Sequence, residues 1–408
     1  MTAMIAITRP LPIDVDLNSV CRGDGVLFVR DGVGIAGRGE IARVNESEAL
    51  ALLQSITHKS DITSPGSGPV LFGIVPFHPD KPAMFILPRV TITKSSDGVH
   101  SITLIGETEE QCNDAAFEAA LHDAKTWPPS TPTVNSFQIT QGVDISTYLE
   151  AVTKARDAVR RGELTKAVIA RDVIVQSSHA FDVHGILLRL RNAYGSSYRY
   201  FIDGLLGASP ELLLEVEGRR VRSHPLAGTV PRTGDPTRDA QLADALIAST
   251  KNQVEHRVVI DMVHDTLLPH CSYLDWEPEP SIVSVANVQH LGSAVEGQLT
   301  EPTPQVMTLV RSLCPTPALG GHPSRDAIDF IVNNEGMERG NYGGAVGWID
   351  AHGNGTWAVT IRCAQLSRDM RNARLCAGGG IVAESDPLAE LAETQAKFQA
   401  MLSAIVRP

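Results

Sequence analysis

The chain has 408 residues, of which 43% are hydrophobic and 20% charged, the composition of a soluble globular protein able to bury a sizeable core. Its formal net charge of −12, from 35 Lys and Arg against 47 Asp and Glu, argues against nucleic acid as a partner, because phosphate contacts need clustered cations. No apolar run reaches the roughly 20 residues that span a bilayer, and the first ten residues lack the basic start and long apolar stretch of a secretory signal.

The predicted elements alternate between strand and helix. Gly25–Arg30, Pro69–Val75 and Ser101–Ile105 have strand patterns, and Glu46–Ile56 and Glu109–Thr126 have helical ones. Gly32-Val-Gly-Ile-Ala-Gly37 matches the glycine spacing of a dinucleotide site. A strand-like run, Arg38–Val44, follows it where that site requires a helix, so a hairpin turn fits better. The Pro/Ser/Thr-rich segment 127–134 marks the main internal boundary. It divides residues 1–140 from residues 141–408 of one compact fold.

Beyond the boundary, Ile145, Tyr148, Leu149, Val152, Ala155 and Val159 form a helical stripe that stops at Gly162. Lys166–Gln176 is a strand. Ser209–Thr229 is a hairpin, turning at Glu217-Gly218 and closing in a Pro225–Thr229 turn. Pro236–Leu268 is helical with a break near Ser249. Ile282–Leu291 is a strand and Pro304–Leu313 a helix. Strands follow at Gly343–Asp350, Gly355–Leu366 and Ala373–Val382, and a helix at Pro387–Ile405. Antiparallel-looking strands with helices between them indicate an α+β fold. The six cysteines are scattered with no C-x-x-C pair, as expected of free thiols in a cytosolic enzyme.

Several residues carry chemistry beyond what an element needs. Glu211 is a carboxylate at the head of an apolar run, either a helix-start acid or the acid of an anion pocket. Gly228 and Thr229 offer a backbone N–H and a hydroxyl. Lys166 is either a surface lysine with a buried stem or a desolvated amine able to act as a base. Glu255 is either half of a solvated pair with Lys251 or a ligand. Glu390, Glu393 and Lys397 share one face of the last helix, as an ion-pair ladder or as oxygen ligands with an ammonium beside them. Arg362 suits a carboxylate. Gly378-Gly-Gly380 inside a strand marks a bulge or a close backbone approach.

The order of these segments is more specific than any one of them. Thr165-Lys-Ala-Val-Ile-Ala-Arg171, Ser209-Pro-Glu-Leu-Leu213, Pro225-Leu-Ala-Gly-Thr229, Lys251 with Glu255-His256, Gln289-His-Leu291, Pro315-Thr-Pro-Ala-Leu-Gly-Gly321, Tyr342-Gly-Gly-Ala-Val-Gly-Trp348, Thr360-Ile-Arg362, Ala377-Gly-Gly-Gly-Ile381 and Glu390-x-x-Glu-Thr-x-x-Lys397 follow one another. As a set, over residues 145–405, they resemble the chorismate-utilising enzymes: isochorismate synthase, salicylate synthase, and the large subunits of anthranilate and aminodeoxychorismate synthase. The resemblance implies two large, mostly antiparallel sheets packed as a core with helices outside.

It is nearest to the isochorismate synthase branch, a Mg²⁺-dependent isomerase that moves a hydroxyl from C4 to C2 of chorismate. It implies Lys166 as the base that activates water and Glu211 as the acid at the departing hydroxyl. Glu255, Glu390 and Glu393 become the Mg²⁺ site. Gly228, Thr229, His290, Ala318, Leu319, Tyr342, Arg362, Gly378, Gly380 and Lys397 become substrate contacts. Ala227, where the aminodeoxychorismate branch often has lysine, favours water as nucleophile. Ala318-Leu319, where salicylate synthases tend to have threonine first, favours stopping at isochorismate. A salicylate synthase and a non-catalytic chorismate-binding protein are the alternatives. The resemblance further implies a cytoplasmic monomer serving menaquinone, siderophore or salicylate synthesis. Cys314, Gly320 and Asn252 depart from the residues frequent at their positions.

Overall fold

The computed structural model describes residues 4–126, 134–285 and 288–407. Residues 127–133 of the proposed 127–134 connector and the Lys251 side chain lie outside the described residues. The fold is α+β. Two antiparallel sheets are joined through two long strands, Val33–Asn45 and Met84–Lys94, which pair along most of their length. From Gly34–Arg38 one sheet runs through Val26–Arg30, Tyr198–Ile202, Leu205–Ser209, Cys363–Leu366, Asn372–Ile381 and Lys166–Ser177. From Met84–Ile86 the other runs through Val70–Val75, Ala345–Asp350, Gly355–Val359, Leu212–Glu217, Arg220–His224 and Val295–Leu299.

Strand periodicity explains how the sheets pack, since alternate residues face opposite sides. Phe28 and Tyr200 of the first sheet bury with Phe72, Phe85 and Trp357 of the second. Their neighbours Leu27, Val29 and Phe201 turn the other way, against Ile186, Leu190, Phe398 and Met401 of the covering helices. A third cluster sits behind the Lys166–Ser177 strand. There Ala167 and Ile169 pack on Tyr148, Val152 and Ala155 of the Ile145–Arg160 helix. Lys166 and Val168 therefore face the opposite side, into the cavity described below.

Local chemistry sets where elements end. Asp386 caps the Pro387–Ile405 helix through the N–H groups of Leu388 and Ala389, with proline at the first helical position as that geometry favours. The long helical region breaks into Pro236–Ala248 and Thr250–Leu267, with Ser249 capping the second. Asn113 caps Asp114–Lys125 and separates it from a short turn at Glu109–Cys112. The expected Gly355–Leu366 strand is two strands, Gly355–Val359 and Cys363–Leu366, because Arg362 adopts a left-handed backbone with φ 49°. Gly32 lies in the turn of a hairpin, and Gly34 and Gly37 lie in its second strand.

Two further expectations are corrected. Pro225–Thr229 is not a closing turn. After Pro225 the chain leaves the hairpin's sheet and runs on as the strand Leu226–Pro231, paired with Val288–Gly292 in a separate three-stranded sheet. Gly228, at φ 73°, sits where the register shifts between Ala227 and Thr229, a bulge that only glycine makes cheaply. Residues 282–291 likewise form two strands, Ser281–Ser284 and Val288–Gly292. All six cysteines are free, and among the described residues no helix is long and apolar enough to cross a membrane.

Candidate active site

Lys166, Glu211, Glu255, Glu390 and Glu393 line one cavity of about 270 Å³, together with Gly228, Thr229, His290, Ala318, Leu319, Tyr342, Arg362, Gly378, Gly380 and Lys397. These residues come from ten segments: strands of the first sheet and of the small sheet, two helices, and the connecting segments that carry Glu211, Ala318-Leu319, Tyr342 and Arg362. Two wall groups carried no signal in the sequence beyond their apolar pattern: Phe398 and Met401. Cys363 and Cys376 also line it; burial raises both thiols, Cys363 to about 12, so they act as small neutral wall groups.

Glu211 lies just ahead of the Leu212–Glu217 strand and is 2% exposed. Its backbone is held by Ser209 Oγ below and by the Val359 N–H on its carbonyl. Among the described residues its carboxyl accepts one hydrogen bond, a long one of 3.5 Å from the Leu226 N–H. Burial therefore dominates, and the opposing pulls of that N–H and of Lys166 leave the group raised to about 8. At neutral pH Glu211 is a protonated acid facing the cavity.

That has a consequence for stability. The unfolded carboxyl titrates near 4.5. Between there and about 8 the folded state holds the extra proton, so stability falls as pH rises through this window, by about 1.4 kcal/mol per unit. Glu211→Gln removes this dependence. In urea titrations at several pH values, the stability of Glu211→Gln relative to wild type rises from pH 5 to pH 8; parallel curves would show that Glu211 is already ionised in the fold.

Lys166 is 3% exposed, and its Nζ donates to Glu255 Oε1 at 2.6 Å. Of the two readings of Lys166, the surface lysine is set aside by this burial, and a carboxylate from the Thr250–Leu267 helix meets the buried amine. Lys397 Nζ bridges Glu393 Oε1 at 2.6 Å and the Gly378 carbonyl at 2.7 Å, while Glu390 Oε1 accepts from Ser385 Oγ at 2.8 Å.

The glycine run resolves in favour of close approach. The ladder with Ala170, Ile169 and Val168 is unbroken through Gly378, Gly379 and Gly380, so there is no bulge. A Cβ at Gly379 would stand 2.6 Å from Glu390 Oε2 and 3.9 Å from Glu393 Oε1. One at Gly380 would stand 2.5 Å from Lys166 Cε and 2.9 Å from Glu255 Oε1. Missing side chains on two successive residues thus make a cradle over which carboxylates from both helices reach. Among the described residues no three His, Cys, Asp or Glu side chains converge as a finished metal cage. The all-oxygen donor set around the cradle is nevertheless that of a hard cation which keeps positions for water and substrate.

The opposite wall binds anions and hydroxyls. No ion pair engages the Arg362 guanidinium among the described residues, and burial lowers its pKa; its left-handed backbone is strain of the kind found at functional sites. His290 is held neutral, burial lowering it to about 3. Its Nδ1 lies 3.2 Å from the Gly228 carbonyl, which can only accept, and 3.0 Å from Thr229 Oγ1. The ring proton is therefore on Nδ1, and the buried Nε2 is an acceptor with no partner among the described residues. Burial also raises the Tyr342 phenol, which stays neutral. Asn252 packs 3.2 Å from the position of a Cβ at Gly228, another reason for glycine there.

A buried acid, a lysine, three carboxylates over a glycine cradle and an unpaired arginine suit acid–base chemistry on a small dianion. Comparison with known proteins agrees. The family model described as chorismate binding enzyme matches residues 35–406. Isochorismate synthase DhbC of Bacillus subtilis is 38% identical over 269 residues, 63% of this chain and 67% of that protein. Isochorismate synthase EntC of Escherichia coli is 32% identical over 340 residues, 82% and 81% of the two chains. The solved structure of MenF, the menaquinone-specific isochorismate synthase from Escherichia coli, superposes with a TM-score of 0.83 at 24% identity, covering 98% of this chain and 94% of that one. With the family model extending over both sheets and every wall of the cavity, the chain belongs to the chorismate-binding enzyme family.

Proposed function

We propose that the protein is an isochorismate synthase, an isomerase that interconverts chorismate and isochorismate. The observation that carries this reading is Glu211: a carboxyl kept protonated at neutral pH by burial that lines the same cavity as Lys166. A proton donor and an amine in one cavity are what acid–base catalysis requires. The identity to proteins named isochorismate synthase supports the same reaction.

In this reading Arg362 and Lys397 bind the substrate carboxylates, and His290 Nε2 accepts from a substrate hydroxyl. Lys166 takes a proton from water as its oxygen bonds to C2. The ring double bond shifts, the C4–oxygen bond breaks, and Glu211 gives its proton so that the C4 hydroxyl leaves as water. The reverse reaction exchanges the roles of acid and base. Glu255, Glu390 and Glu393 would hold Mg²⁺, which when bound supplies positive charge for the ring carboxylate. Ala318 and Leu319 close the ring side of the cavity, and Ala227 brings no amine to compete with water.

Six free thiols fit the reducing cytoplasm. The deciding experiment incubates purified protein with chorismate and Mg²⁺ and separates the products. Isochorismate without pyruvate is expected. Salicylate with pyruvate would replace this reading by a salicylate synthase, and binding without turnover would replace it by a chorismate-binding protein.

A further inference from the structure

The Ser324–Asn334 helix ends at Glu335, where the helix dipole disfavours a negative charge. Glu335 is fully buried all the same, and does not line the Glu211 cavity. Its carboxylate takes the Arg339 guanidinium on both oxygens, Nε to Oε2 at 2.8 Å and Nη2 to Oε1 at 2.5 Å. It also accepts the Ala170 N–H at 2.6 Å. Arg339 then donates outward to two carbonyls, Val168 through Nη2 and Leu319 through Nη1, each at 2.7 Å. The Phe77 ring covers the guanidinium at 4.3 Å.

The placement follows from a short ladder. The two-residue strand Gly321–His322 pairs with Ala167 and Lys166, and the Val168 N–H donates to the Gly320 carbonyl at 2.9 Å. One step further along, the Val168 carbonyl and the Ala170 N–H meet the Arg339 and Glu335 side chains instead of another strand. The pair therefore stands in for a missing strand and joins the Lys166 strand to the loop that ends in Leu319. Val168 and Leu319 both line the cavity. A buried ion pair is weak evidence for stability, and its best-attested use is to fix geometry.

We propose that Glu335 and Arg339 are positioning residues that set the spacing between the Lys166 strand and the Ala318-Leu319 wall; the inference rests on the isochorismate synthase reading. The test compares wild type, Arg339→Lys, Glu335→Gln and the double variant, by kcat and KM for chorismate per folded molecule, with folding checked by circular dichroism. Arg339→Lys keeps the charge and loses the planar fork. Misplacement of this kind costs about 10²-fold in kcat, with KM near the wild-type value, and the double variant is no worse than the weaker single, as expected of residues that act as a unit. A lowered melting temperature with kcat per folded molecule unchanged overturns the proposal, as does failure of both single variants to fold. A wild-type protein inert toward chorismate instead overturns the reading on which the proposal rests.

Discussion

Lys166→Ala and Lys166→Arg both lose turnover of chorismate, by about 10²–10⁴-fold, the usual worth of a general base. The pair of variants is needed because Lys166 has two possible jobs. It is the partner of Glu255 at 2.6 Å, and it is the proposed base. Removing the side chain ends both. It leaves the Glu255 carboxylate, 15% exposed, without this cation, and breaking a buried pair from one side destabilises a protein by about 3–5 kcal/mol. A loss of activity in Lys166→Ala could then follow from a disturbed helix alone. Arginine separates the two. It keeps a cation beside Glu255 but stays protonated at any accessible pH, so it cannot take a proton from water. If Lys166 is the base, both variants are inactive while equilibrium dialysis still detects bound chorismate. Substantial turnover by Lys166→Arg would show that the lysine serves only to balance Glu255.

How far the sequence reached depended on whether the deciding contact was local. The capped helices Glu46–Ser55 and Pro387–Ile405 and the strand Lys166–Ser177 were legible within a residue or two, because cap, periodicity and stop lie inside the segment. The split at Asn113 was missed although the cap residue is visible, since the apolar pattern runs on past it. The route of the chain after Pro225 was not legible at all: it depends on the partner strand Val288–Gly292, some sixty residues away. The glycines at 378–380 announced either a bulge or a close approach, and only the helix crossing them decides between the two. The same limit applies to charges. Lys166 and Glu255 each had a surface reading, and nothing local indicates that they meet. Glu335 and Arg339 look like an exposed i, i+4 pair in a polar loop, and their burial against Val168 and Leu319 is a tertiary fact.

Glu211→Gln gives the second large effect, and it separates folding from chemistry more cleanly than the lysine does. With Glu211 raised to about 8, the native side chain at pH 7 is a neutral carboxylic acid. Glutamine has the same shape and the same charge there, so packing at the head of the Leu212–Glu217 strand and chorismate binding are retained. What glutamine lacks is a proton it can give up. The C4–oxygen bond must then break without acid assistance, and kcat falls by about 10²–10⁴-fold while chorismate affinity stays near the wild-type value. The wild-type pH profile carries the same information. Because kcat/KM follows the free enzyme, and because the protonated form is the active one, kcat/KM declines as pH rises through about 8, where Glu211 ionises. The carboxylate formed above that pH also stands opposite an incoming dianion, so binding weakens in the same direction. Near-normal turnover by Glu211→Gln would remove Glu211 from the proton path. A wild-type rate that held level to pH 9.5 would show that the departing hydroxyl takes its proton from another group lining the cavity.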